Sequence, residues 1–156
     1  MNNCVITTTI PELKMRKVVH EYNTTIIVNE NKYMITVPKD FIYDGASIPA
    51  PFWIIFGTPY GVYNDTPGCV HDYLYDEISN NSIEFDNKKI TISRAEADWI
   101  FYLLLCKNGV WKLKAYIMYL TVYTFGFLFY KNGYKKYLSW SHKISDYLYG
   151  IANCIE

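Results

Sequence analysis

The chain has no surplus of either charge: Lys and Arg number 15, and so do Asp and Glu. A duplex DNA or RNA binder shows a basic excess, so nucleic acid is not an expected partner. Cysteine is scarce and scattered. Cys4, Cys69, Cys106 and Cys154 form no Cys-x-x-Cys, and no histidine stands at a zinc-finger spacing, which argues against a structural zinc site. The first residues, MNNCVITTTIPELK, lack a basic region followed by an apolar core. No secretory signal is therefore expected, and the thiols should be reduced, as in a cytoplasm. Also missing are a P-loop, a dinucleotide-binding glycine pattern, a Gly-x-Ser-x-Gly elbow and a His-Glu-x-x-His helix. The sequence contains no apolar run long enough to cross a bilayer. The apolar, charge-free run from Ala115 to Tyr130 has 16 residues against the roughly 20 a spanning helix needs.

Aromatics are abundant, with 16 Tyr and 4 Trp among 156 residues. Their rings pack as hydrophobes while the hydroxyl or indole N–H seeks a partner, which suits a wet-edged core or a binding groove. The length fits a single domain over residues 1–156. KVVHEY, TTIIV and YMITV read as short antiparallel strands, with a hairpin turn at Asn29 to Lys32. FIYDGASIPAPFW is a loop, because Gly45, Pro49 and Pro51 forbid a regular helix.

Thr66 and Pro67 resemble an N-cap and first helical residue, which opens a helix to about Ile78. SIEF and KKITI, separated by Asp86 and Asn87, form a second hairpin. SRAE at 93–96 is a capping box before a helix that Asn108 and Gly109 stop. The run from Val110 to Lys131 predicts a third helix, expected to be buried and central, with a membrane-docking helix as the alternative. YLSWSHKISDYLYG adds a shorter amphipathic helix. KNGYKKY, residues 131–137, reads as a local basic and aromatic patch able to touch phosphate, or more plainly as a solvated helix end. The expected fold is α+β: a small N-terminal antiparallel sheet packed on a helical body of three to four helices.

Three polar islands interrupt the apolar pattern: Asp44 with Ser47, His71 with Asp72, and Arg94 with Asp98. Burying an unpaired charge is costly, so these groups are expected to meet. Each also has a plain structural reading. Asp44 and Ser47 suit turns, and Asp72 gains from the helix dipole. Arg94 and Asp98 are spaced as a surface i,i+4 ion pair, and His71 reads equally as a buried, satisfied histidine. His20 and His142 have no acidic neighbour at a useful spacing.

VPKDF (37–41), DGASIP (44–49), HDYLY (71–75) and SRAEADWIF (93–101) occur in that order. Together they resemble the phage and prophage family catalogued as domain of unknown function 1353, over a core of about residues 36–126. That resemblance implies a viral gene acting in the host cytoplasm or carried in the virion. CVHDYLYD is also similar to the catalytic helix of calcium-dependent secretory phospholipases. By that resemblance His71 is a general base toward water, Asp98 orients it, Tyr75 supports the aspartate, and Asp72 holds a cation. The glycine-rich calcium loop and dense disulfides of those enzymes have no counterpart here.

The expectation is a hydrolase acting on an ester or phosphoester, with His71 and Asp98 catalytic. Asp72 and Asp44 would bind Ca²⁺ or Mg²⁺, with Ser47, Tyr75 and Arg94 in support. The alternative is a non-enzymatic virion, lysis-region or host-interaction protein that binds a small molecule or a host or phage protein. In that case the His/Asp cluster is a structural clamp. Either way, a side-chain nitrogen of His71 should lie within hydrogen-bond reach of Asp98.

Overall fold

Strand alternation dictates where the first core forms. In a computed structural model, which describes residues 4–11, 15–28, 30–44, 65–76 and 82–126, β3 (Tyr22–Val28) turns Tyr22, Thr24 and Ile26 inward. Its antiparallel partner β4 (Asn31–Val37) places Val37 opposite Tyr22 and Ile35 opposite Thr24, so the buried faces coincide. β6 (Ser82–Phe85) and β7 (Lys88–Thr91) extend this sheet in the order β3-β4-β6-β7. Their connecting residues Asp86 (φ 49°) and Asn87 (φ 58°) are both left-handed, the requirement of a two-residue hairpin that follows strand twist.

A second sheet, in the order β1-β2-β5, comprises β1 (Thr7–Ile10), β2 (Met15–Val18) and β5 (Ile42–Tyr43), all antiparallel. The expected single N-terminal sheet is therefore two, and the SIEF/KKITI hairpin belongs to the larger one. β1 has no counterpart in the sequence reading. Its strand character comes from pairing with β2 rather than from its own pattern, since its middle residues are exposed on both faces.

Three helices follow among the described residues. Helix α1 (Asp65–Tyr75) starts one residue before the expected cap and ends three residues before the expected stop. Tertiary contacts explain the start. Asp65 accepts from Arg16 Nη1 (2.6 Å) and from the Tyr43 hydroxyl (2.6 Å), while Thr66 Oγ1 accepts from the Val5 N–H at 3.2 Å instead of capping its own helix. Helix α2 (Arg94–Lys107) carries the predicted capping box: Ser93 Oγ accepts from the Glu96 N–H, and Glu96 accepts from the Ser93 N–H. It ends at Asn108, followed by Gly109 at φ 87°, a left-handed stop.

Over its described part, helix α3 (Lys112–Phe125) corrects the expectation of a buried central helix; residues 127–130 of that run lie outside the described residues. It buries Ala115, Met118 and Val122 against Phe101 and Leu105 of α2, and leaves Tyr116, Ile117, Leu120 and Tyr123 exposed. The physical reason is that α2 is its one large contact among the described elements. Much of its aromatic content goes into ring contacts along one face, Tyr116 to Tyr119 to Tyr123. No helix among the described residues is long and apolar enough to cross a membrane. The expected tail helix, the KNGYKKY patch and His142 lie outside the described residues.

The main core joins Val18, Tyr22, Ile35, Val37 and Tyr43 of the sheets to Val70 and Leu74 of α1 and Ile100 and Leu104 of α2. α2 thus serves both cores, with Ile100 and Leu104 toward the sheets and Phe101 and Leu105 toward α3. Cys4, Cys69 and Cys106 are free thiols.

Candidate functional site

Two i,i+4 pairs build the site. On α1, His71 and Tyr75 share a face; on α2, Arg94 and Asp98 do. Packing of α1 on α2 brings both pairs to one carboxylate. His71 Nε2 lies 2.9 Å from Asp98 Oδ1, which also accepts from the Tyr75 hydroxyl. Arg94 Nη1 donates to Asp98 Oδ2 at 3.1 Å and to the Tyr123 carbonyl of α3 at 2.9 Å. The expected His71–Asp98 contact is therefore direct.

Asp98 is 0% exposed and His71 4%. A carboxylate so far from water is tolerated only when paired and hydrogen-bonded, and here three donors reach it. This rules out the surface ion-pair reading of Arg94 and Asp98. The contact with Asp98 places a proton on Nε2 of His71. The other nitrogen, Nδ1, lies 3.9 Å from Asp72 Oδ1, an electrostatic contact too long for a direct hydrogen bond. Tyr75 and Phe101 wall the imidazole, with ring centroids at 4.1 and 5.0 Å.

The electrostatics follow from this packing. Burial pushes the His71 pKa down, but the carboxylates of Asp72 and Asp98 outweigh burial and leave it raised above its ordinary value. Burial and the Asp98 carboxylate hold the Tyr75 hydroxyl well above the usual tyrosine range, so it remains a proton donor. This set of groups can hold a fixed imidazole tautomer, stabilise an imidazolium and present Nδ1 beside a carboxylate.

His71, Asp98, Tyr75 and Arg94 form one contiguous cluster, with Asp72 at its edge. Asp44 is half-buried directly after β5, and Ser47 lies outside the described residues. Among the described residues, no three His, Cys, Asp or Glu side chains converge to hold a metal ion.

Sequence reasoning missed two features. The first is the Arg16–Asp65–Tyr43 cluster, which pins the smaller sheet to the start of α1; Arg16 and Asp65 lie 49 positions apart, so no local pattern reveals it. The second is Gly126, which stands against Tyr75 and Arg94. A lone glycine in an apolar helical run was the available signal.

The family described as "Protein of unknown function (DUF1353)" matches residues 17–122, roughly two thirds of the chain. No curated protein and no solved structure matches.

Proposed function

We propose that this chain, which belongs to the DUF1353 family, is a hydrolase-like protein acting on an ester or phosphoester through His71 and Asp98. A phage origin and a place in the host cytoplasm or virion are part of the proposal, from the phage and prophage family that its motifs resemble. One observation carries the chemistry: Asp98, itself held by Tyr75 and Arg94, fixes Nε2 of His71 and leaves Nδ1 as the basic nitrogen. Nδ1 takes a proton from water as the water oxygen attacks the carbonyl carbon or phosphorus. Asp98 stabilises the resulting imidazolium, which then gives that proton to the departing alkoxide. The neighbouring carboxylates raise the proton affinity of the imidazole above its ordinary value, which strengthens it as a base. Asp72, beside Nδ1, is the residue to orient that water or to contribute to a Ca²⁺ or Mg²⁺ site with Asp44.

Burial favours a second reading. With His71 and Asp98 sealed from solvent, the cluster also fits a clamp joining α1, α2 and the end of α3 in a non-enzymatic virion, lysis-region or host-interaction protein.

His71→Asn separates the two. The test assays wild type and variant on p-nitrophenyl esters and bis(p-nitrophenyl) phosphate, with and without Ca²⁺ or Mg²⁺, alongside urea denaturation. A general base predicts wild-type turnover that falls roughly 10²–10⁴-fold in the variant. A clamp predicts no turnover and a loss of about 1–3 kcal/mol, because Asp98 loses a buried partner. Inactive wild type together with a destabilised variant would sink the hydrolase reading.

A further inference from the structure

The last turn of α3 touches both side chains that, besides His71, hold Asp98. Arg94 donates to the Tyr123 carbonyl at 2.9 Å, and its guanidinium stands 5.2 Å from the Tyr123 ring centroid. Gly126, the C-cap of α3, lies against the Tyr75 hydroxyl. Its backbone, at φ −61° and ψ −21°, is ordinary right-handed helix that any residue adopts. Conformational freedom is therefore not the reason for a glycine here, and glycine is disfavoured in a helix relative to alanine. Space is the reason. A Cβ at this position would overlap the Tyr75 hydroxyl and stand 3.3 Å from Tyr75 Cζ and 3.4 Å from Arg94 Nη1.

We infer that Gly126 is a positioning residue for the His71–Asp98 pair: its missing side chain lets the end of α3 close on Tyr75 and keep that hydroxyl on Asp98 Oδ1. The hydroxyl and His71 Nε2 share this one oxygen, so the position of Tyr75 sets how much of the acceptor is left for the imidazole. The functional significance rests on the hydrolase reading. The geometric coupling does not.

The test is a cycle of four proteins: wild type, Gly126→Ala, Tyr75→Phe and the double variant. Two readouts are used, the urea denaturation midpoint and the downfield proton resonance of the His71 Nε2–H, assigned by its loss in His71→Asn. In the wild-type background, Gly126→Ala should lower the midpoint and move the resonance in the direction that Tyr75→Phe moves it. In the Tyr75→Phe background the hydroxyl is gone, so the same alanine should raise the midpoint or leave it unchanged, with no further movement of the resonance. Should Gly126→Ala fail to fold, a folded double variant supports the inference and an unfolded one overturns it.

Equal destabilisation in both backgrounds, or an unmoved resonance in Gly126→Ala, would overturn the inference. Neither readout uses turnover. An inactive wild type with the coupling intact would therefore count against the hydrolase reading alone.

Discussion

His71 sits between two carboxylates, Asp98 at 2.9 Å and Asp72 at 3.9 Å, and their attraction exceeds the cost of burying its charge. The pKa is therefore higher in the folded chain than the ordinary 6.5 of an unfolded one. The sign of the linkage follows: charged His71 contributes its full stability below the unfolded value, and that contribution is lost as pH rises through the folded one. The stability gap between wild type and His71→Asn should accordingly narrow as pH rises from about 5 to about 9 in urea denaturation. A gap that widens instead means a neutral imidazole whose proton affinity burial has lowered. At this scale the sequence was informative wherever partners fall one helical turn apart. His71 with Tyr75 and Arg94 with Asp98 could be read as faces, and the cost of burying charge predicted their meeting. Asp65 and Gly126 could not be read this way, because their partners are set by packing across the chain.

Among the elements, those fixed by local chemistry were legible: the Asp86–Asn87 hairpin, the Ser93 box and the Gly109 stop. Those fixed by neighbours were not. β1 exists through its ladder with β2, and the start of α1 shifts because Thr66 bonds Val5 and Asp65 bonds Arg16 and Tyr43. Two predictions belong here. Ser93→Ala removes the acceptor for the Glu96 N–H and should cost about 1 kcal/mol by urea denaturation. Glu30, in the β3–β4 turn, is exposed and left-handed at φ 68°, a conformation that strains a residue with a Cβ. Glu30→Gly should raise the denaturation midpoint without changing the slope, a gain of roughly 1 kcal/mol in relieved strain, less glycine's greater unfolded-state entropy.

Across the whole molecule, α2 is the shared wall of two cores, and this placement decides what α3 can tolerate. Composition made α3 look buried all round, yet among the described elements it has one large neighbour, so its sides have unequal energetic weight. Met118 is 2% exposed and packs in the second core with Phe101 and Leu105, whereas Leu120, two residues on, is 40% exposed. Met118→Ala should therefore leave a cavity and cost about 2–5 kcal/mol. Leu120→Lys places a charge where solvent already reaches and should change stability by no more than about 0.5 kcal/mol. Because α3 also supplies the Tyr123 carbonyl to Arg94, loosening its buried side should reach the site. The Nε2–H resonance of His71 should thus broaden or move in Met118→Ala and stay in place in Leu120→Lys. A Leu120→Lys variant as destabilised as Met118→Ala would show that α3 is covered on both sides in solution, and would restore the buried central helix that its composition suggested.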